Sequence, residues 1–73
     1  MKIQSVIIPK SKFTKEQACQ WIEDHGFKIS FDEKTGPDIT LNFFRFRQMA
    51  TDKNVHYYIR RLSNGINLVL FDK

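Results

Sequence analysis

A chain of 73 residues is read as one domain, residues 1–73, and its seven Phe, two Tyr and one Trp supply the bulk of a small core. Twelve Lys and Arg against eight Asp and Glu leave a formal net charge of +4, which permits an anionic partner and equally describes a solvated surface. One cysteine, Cys19, excludes an internal disulfide framework. With no apolar run of membrane-spanning length and no signal-peptide core, the expectation is a soluble protein of a reducing, cytoplasmic compartment with no membrane partner.

Residues 1–8 contain Ile3, Val6, Ile7 and Ile8, whose branched side chains favour a strand. Pro9 has no N–H to give and ends it. A connector over residues 10–13 leads to the best-marked element, a helix over residues 14–25. Thr14 is a good N-cap, and Gln17 stands where a capping box needs it. Ala18, Trp21, Ile22 and His25 follow at helical spacing on one face, with Glu16, Gln20, Glu23 and Asp24 opposite. Gly26 is the expected left-handed stop, with Phe27 folding back on Ile22. Trp21 belongs to the core, provided its N–H finds a partner or reaches the surface.

Phe27, Ile29 and Phe31 alternate with Lys28, Ser30 and Asp32, the pattern of a half-buried strand. Residues 32–38 form a loop by composition. A strand is expected over residues 41–49, with Phe44 and Phe46 on one side and Arg45 and Arg47 on the other. Its alternation slips at Phe43 and Phe44, so either a bulge lies there or Phe43 sits on the outer face. Residues 50–54 make a second loop.

Residues 55–62 and 66–71 are two strands joined through Ser63-Asn64-Gly65, and Asn-Gly is the strongest short hairpin signal. With Asn64 and Gly65 as the two turn residues, Ser63 pairs with Ile66, Arg61 with Leu68, Arg60 with Val69 and Tyr58 with Phe71. Tyr57, Ile59, Ile66, Leu68 and Leu70 then share the face turned to the helix. His56, Tyr58, Arg60, Val69 and Phe71 share the other. The order of elements gives an α+β fold: a single helix packed on one face of a mostly antiparallel sheet of four or five strands. One helix covers one side, so the reverse of the sheet is expected to be bare.

That bare face would gather Arg45, Arg47, Arg60, His56, Tyr58 and Phe71, rings interleaved with guanidinium groups. Nucleic-acid platforms use this pairing, because bases stack on rings while arginines neutralise phosphates. The same residues suit a protein interface, including self-association. They also suit a solvated face whose arginines pair with Asp or Glu. Lys10, Lys12 and Lys15 crowd the helix start around Ser11 and Thr14, where free N–H groups and a partial positive charge make an anion cradle conceivable. The simpler reading is that the long lysines extend into solvent. Cys19, His25 and His56 have neither the number nor the spacing of a metal site, so no metal, no cofactor and no catalytic group is expected.

Lys10-Ser11-Lys12-Phe13-Thr14, Ala18, Trp21-Ile22, His25-Gly26-Phe27-Lys28, Phe44-Arg45-Phe46-Arg47-Gln48 and Gly65-Ile66 occur in this order. The pattern resembles a small module that recurs in proteins of tailed phages and large DNA viruses, alone or at the start of longer chains. Some of those chains look like head-maturation proteins. The similarity covers most of the chain, and the helix-entry and arginine-strand motifs are its specific parts. Relatives often carry a proline shortly after the Arg-Gln pair, whereas Met49-Ala50-Thr51-Asp52 has none. The resemblance implies a viral origin, in the host cytoplasm or the virion, rather than a particular activity. The reading is a small non-enzymatic binding module whose partner is DNA or RNA, or alternatively another protein or itself.

Overall fold

Residues 2–29, 38–49 and 53–72 are described by the structure, a computed structural model. The branched apolar residues near the N-terminus form β1 (Lys2–Pro9), followed by α1 (Lys15–Asp24), β2 (Asp38–Ile39), β3 (Phe43–Arg47), β4 (Tyr57–Arg61) and β5 (Asn67–Phe71). The strands form one sheet in the order β2-β3-β1-β5-β4, and every pairing is antiparallel. This is the α+β architecture expected, with five strands and one helix among the described residues.

The longest strand, β1, lies at the centre of the sheet. Val6 and Ile8 of β1 are fully buried, and they share one cluster with Phe44 and Phe46 of β3, Ile66, and Ala18 and Ile22 of the helix. Burying one such large side chain stabilises by about 1.5–3 kcal/mol. Phe13, Trp21, Phe27, Leu62 and Leu68 close the cluster from its margins.

Both helix ends are set by adjacent residues. The Thr14 hydroxyl accepts from the Gln17 N–H at 3.2 Å, and the Gln17 side chain accepts from the Thr14 N–H at 2.9 Å. At the other end Gly26 has φ +76°, the Phe27 N–H donates to the Ile22 carbonyl at 3.0 Å, and the Gly26 N–H to Glu23 at 3.1 Å. These two bonds are the double closure of a Schellman cap. The His25 ring stacks on Trp21 at 3.9 Å and its Nδ1 lies 2.8 Å from the Trp21 carbonyl.

Residues 27–29 are not a strand. Gln48 takes the place of a neighbouring backbone for them: its Oε1 accepts from the Lys28 N–H and its Nε2 donates to the Lys28 carbonyl, each at 2.8 Å. Phe31 and residues 32–37 and 50–52 of the two expected loops lie outside the described residues, as does Met1. Asp38 and Ile39, expected in a loop and at its edge, form β2 instead. The β1–β3 register runs without interruption from Ser5↔Arg47 to Pro9↔Phe43, so Phe43 is an outer-face residue and no bulge occurs there. The irregularity is in β1, where the pairing with β5 shifts between Ile3 and Ser5 and leaves Gln4 as the extra residue.

The hairpin carries the main correction. The loop holds three residues, not two: the Leu62 N–H donates to the Ile66 carbonyl at 2.8 Å, the Gly65 N–H donates to Leu62 at 3.0 Å, and Gly65 has φ +91°. A turn closed by a left-handed glycine is the usual three-residue solution. Ile66 therefore pairs with Leu62 rather than Ser63. The register becomes Tyr58↔Leu70, Ile59↔Val69, Arg60↔Leu68 and Arg61↔Asn67. A slip of one residue exchanges the faces of a strand. Tyr58 and Arg60 thus lie on the helix side of the sheet, level with Leu70 and Leu68, while Tyr57, Ile59 and Arg61 join Val69 and Phe71 on the reverse.

Candidate nucleic-acid interface

Pairing and alternation put Ser5, Ile7, Phe43, Arg45, Arg47, Asn67, Val69 and Phe71 on the reverse face with Tyr57, Ile59 and Arg61. Of the six residues expected to share this face, the strands bring together three: Arg45, Arg47 and Phe71. Arg60 and Tyr58 are exposed on the opposite side of edge strand β4, and His56 is exposed just before it. Phe71 is only 5% exposed and packs against Tyr57 at 5.9 Å, so it offers little surface to a partner.

The two arginines are engaged within the chain. Arg47 grips Asp38 with two nitrogens, Nε to Oδ2 at 3.1 Å and Nη2 to Oδ1 at 3.3 Å. Arg45 donates from Nε to the Ser5 hydroxyl and from Nη2 to Gln4 Oε1, both at 3.3 Å. Gln4 and Ser5 are fully buried and also bond each other. Gln4 further donates to the Met49 carbonyl at 2.9 Å. The guanidinium of Arg45 therefore adds a charged donor to each member of a buried polar pair.

The lysines do not gather at the helix N-terminus. Thr14 is occupied by the capping box, and Lys15 extends into solvent. Lys10 places its ammonium 5.4 Å from the centroid of the Phe44 ring. Lys12 reaches the hairpin loop, lying against Gly65. There it faces a residue that sequence reasoning passed over.

Lys12 and Arg61 line one depression of about 300 Å³ at the hairpin-loop end of the sheet. Ser63 and Asn67 add polar groups to it, and Pro9, Phe43 and Leu62 form its apolar wall. Both cations are exposed, and among the described residues neither makes an ion pair. The Asn67 Oδ1 is buried and has no hydrogen-bond partner among the described residues. A second depression of about 510 Å³ adjoins the first through Pro9 and Phe43, and Lys10, Ser11, Leu41 and Asn42 complete it. Phe43 is 39% exposed and Leu41 88% exposed.

This end of the molecule thus combines cations, hydroxyls and a half-open ring, the components that hold a phosphate and stack a base. Arg61, Ser63 and Asn67 carried no local signal, whereas for Phe43 the slipped alternation offered the outer face as one of two readings. Only the hairpin register distinguishes Arg61 from Arg60, and only the tertiary fold brings either near Lys12. No helix among the described residues is long and apolar enough to cross a membrane. No family model, curated protein or solved structure matches the chain.

Proposed function

We propose that the protein is a non-enzymatic module that binds the phosphate backbone of nucleic acid at the hairpin-loop end of its sheet. The observation that carries this reading is the shared depression of Lys12 and Arg61, two cations that make no ion pair among the described residues, walled by the Phe43 ring. Lys10 extends the same charge into the adjoining depression. A half-exposed ring beside phosphate-binding cations favours single strands, whose bases are free to stack. Arg45 and Arg47 play a structural part in this account. The resemblance to phage and large-virus modules would put the activity in an infected cell's cytoplasm or in the virion.

A salt titration tests it. Binding of a fluorescent single-stranded oligonucleotide should weaken as salt rises, with a slope of log K against log salt of about −2 for three cations on phosphates. No binding at low salt, or binding indifferent to salt, would overturn the assignment.

A further inference from the structure

Among the described strands β4 is an edge of the sheet, hydrogen-bonded to β5 alone. Its central residue, Ile59, is 70% exposed and Tyr58 47% exposed. An exposed edge is a template for another strand, and proteins commonly blunt such edges with charge. Arg60 and Arg61 look like that protection until the strand is paired with itself.

The sequence Tyr57-Tyr58-Ile59-Arg60-Arg61 is self-complementary when reversed: two rings, one aliphatic side chain, two cations. In an antiparallel pair with a two-fold axis at Ile59, each Ile59 meets its copy. Arg60 falls opposite Tyr58 and Arg61 opposite Tyr57. Shifting the centre to Arg60 or Arg61 sets arginine against arginine. Shifting it to Tyr58 sets Arg60 against His56. Only the Ile59-centred register gives both arginines a ring, and cation–π contacts and cross-strand pairs favour it.

The backbone agrees with this register. Leu62 points its N–H at the Ile66 carbonyl across the hairpin. Hydrogen-bonded and non-bonded pairs alternate along an antiparallel ladder. Ile59, three residues from Leu62, therefore turns its N–H and C=O away from β5, where two copies can exchange them. We propose that β4 pairs antiparallel with β4 of a second copy of this chain, closing the exposed edge in an isologous dimer. The pairing does not require nucleic acid: Arg61 belongs to both surfaces, whereas the Tyr58–Arg60 contacts, on the face away from Asn67 and Arg61, belong to the pairing alone.

Sedimentation of the full chain over a range of concentrations, with circular dichroism to confirm folding, tests the pairing. The wild type should form a dimer and nothing larger. Ile59→Lys should be a monomer, since it sets two ammonium groups at the axis. Tyr58→Lys, opposite Arg60, should weaken dimerisation at least about tenfold, while Tyr58→Glu should retain the dimer because it gives Arg60 a carboxylate. A wild type that is monomeric throughout or forms open-ended assemblies would overturn the proposal. So would a dimer indifferent to Ile59→Lys, or equal behaviour of the two Tyr58 variants.

Discussion

Lys12 lies across Gly65, with its Cδ and Nζ each 3.1 Å from the point where a Cβ on that glycine would stand. The hairpin turn and the helix-entry segment are thereby fitted to one another, and the backbone of Gly65, at φ +91°, favours glycine independently. Gly65→Ala should therefore act twice. It should destabilise by about 1–3 kcal/mol through backbone strain, seen in thermal unfolding. It should also displace Lys12 and weaken oligonucleotide binding at temperatures where the fold persists.

Arg45 and Arg47, neighbours on one strand face, should respond differently to removal. The Arg47–Asp38 pair is about two-fifths exposed on each side, at 40% and 39%. Solvent screens it, so Arg47→Ala should cost only about 0.2–1 kcal/mol. Arg45→Ala leaves the fully buried Gln4 and Ser5 without their guanidinium partner and should cost about 1–3 kcal/mol. Urea unfolding of the two variants checks the order, which would reverse if Arg47 were the structural residue.

Gln48 completes with one side chain what a strand would do with its backbone. It makes two bonds to Lys28 at 2.8 Å and a third to the Phe46 carbonyl at 3.3 Å. Gln48→Ala should cost about 1–2 kcal/mol and speed hydrogen exchange at the Lys28 amide, leaving the helix amides protected.

The closing pair Leu62–Ile66, rather than the number of residues between them, sets which face each residue of β4 occupies. Deleting Ser63 would leave Asn64 and Gly65 as a two-residue turn between Leu62 and Ile66, the pair that already flanks the loop. The Asn-Gly sequence suits such a turn. The deletion should therefore keep the Ile59↔Val69 pairing, read as a cross-strand contact by NMR. An inverted face in the deletion variant would contradict this view of the register.

The parts of the fold legible in the sequence are those whose causes are local. Thr14 and Gln17 fix one end of the helix and Gly26 and Phe27 the other, within a few residues of each other. The alternation of Phe44-Arg45-Phe46-Arg47 gave the correct sides of β3, because one side of that strand is buried. The hairpin misled because a single residue, Ser63, moved from strand to loop and exchanged every side chain of β4. Strand β2 was hidden because two residues carry no periodicity. The bulge at Gln4 was hidden because its stabilising partners, Arg45 and Met49, are 41 and 45 positions away.

The candidate site was half legible for the same reason. The lysines of the helix entry stood out by charge, but what they face depends on where the hairpin loop comes to rest. Arg45 and Arg47 stood out by alternation, yet their partners Gln4, Ser5 and Asp38 made them structural.

The account rests on which cations are free to meet a phosphate, and one comparison decides it. Binding of a fluorescent single-stranded oligonucleotide at low salt should be retained by folded Arg47→Ala and lost, by about tenfold or more, in folded Lys12→Ala/Arg61→Ala. Retained binding in the Lys12/Arg61 variant, or its loss in Arg47→Ala, would contradict a site at the hairpin-loop end of the sheet.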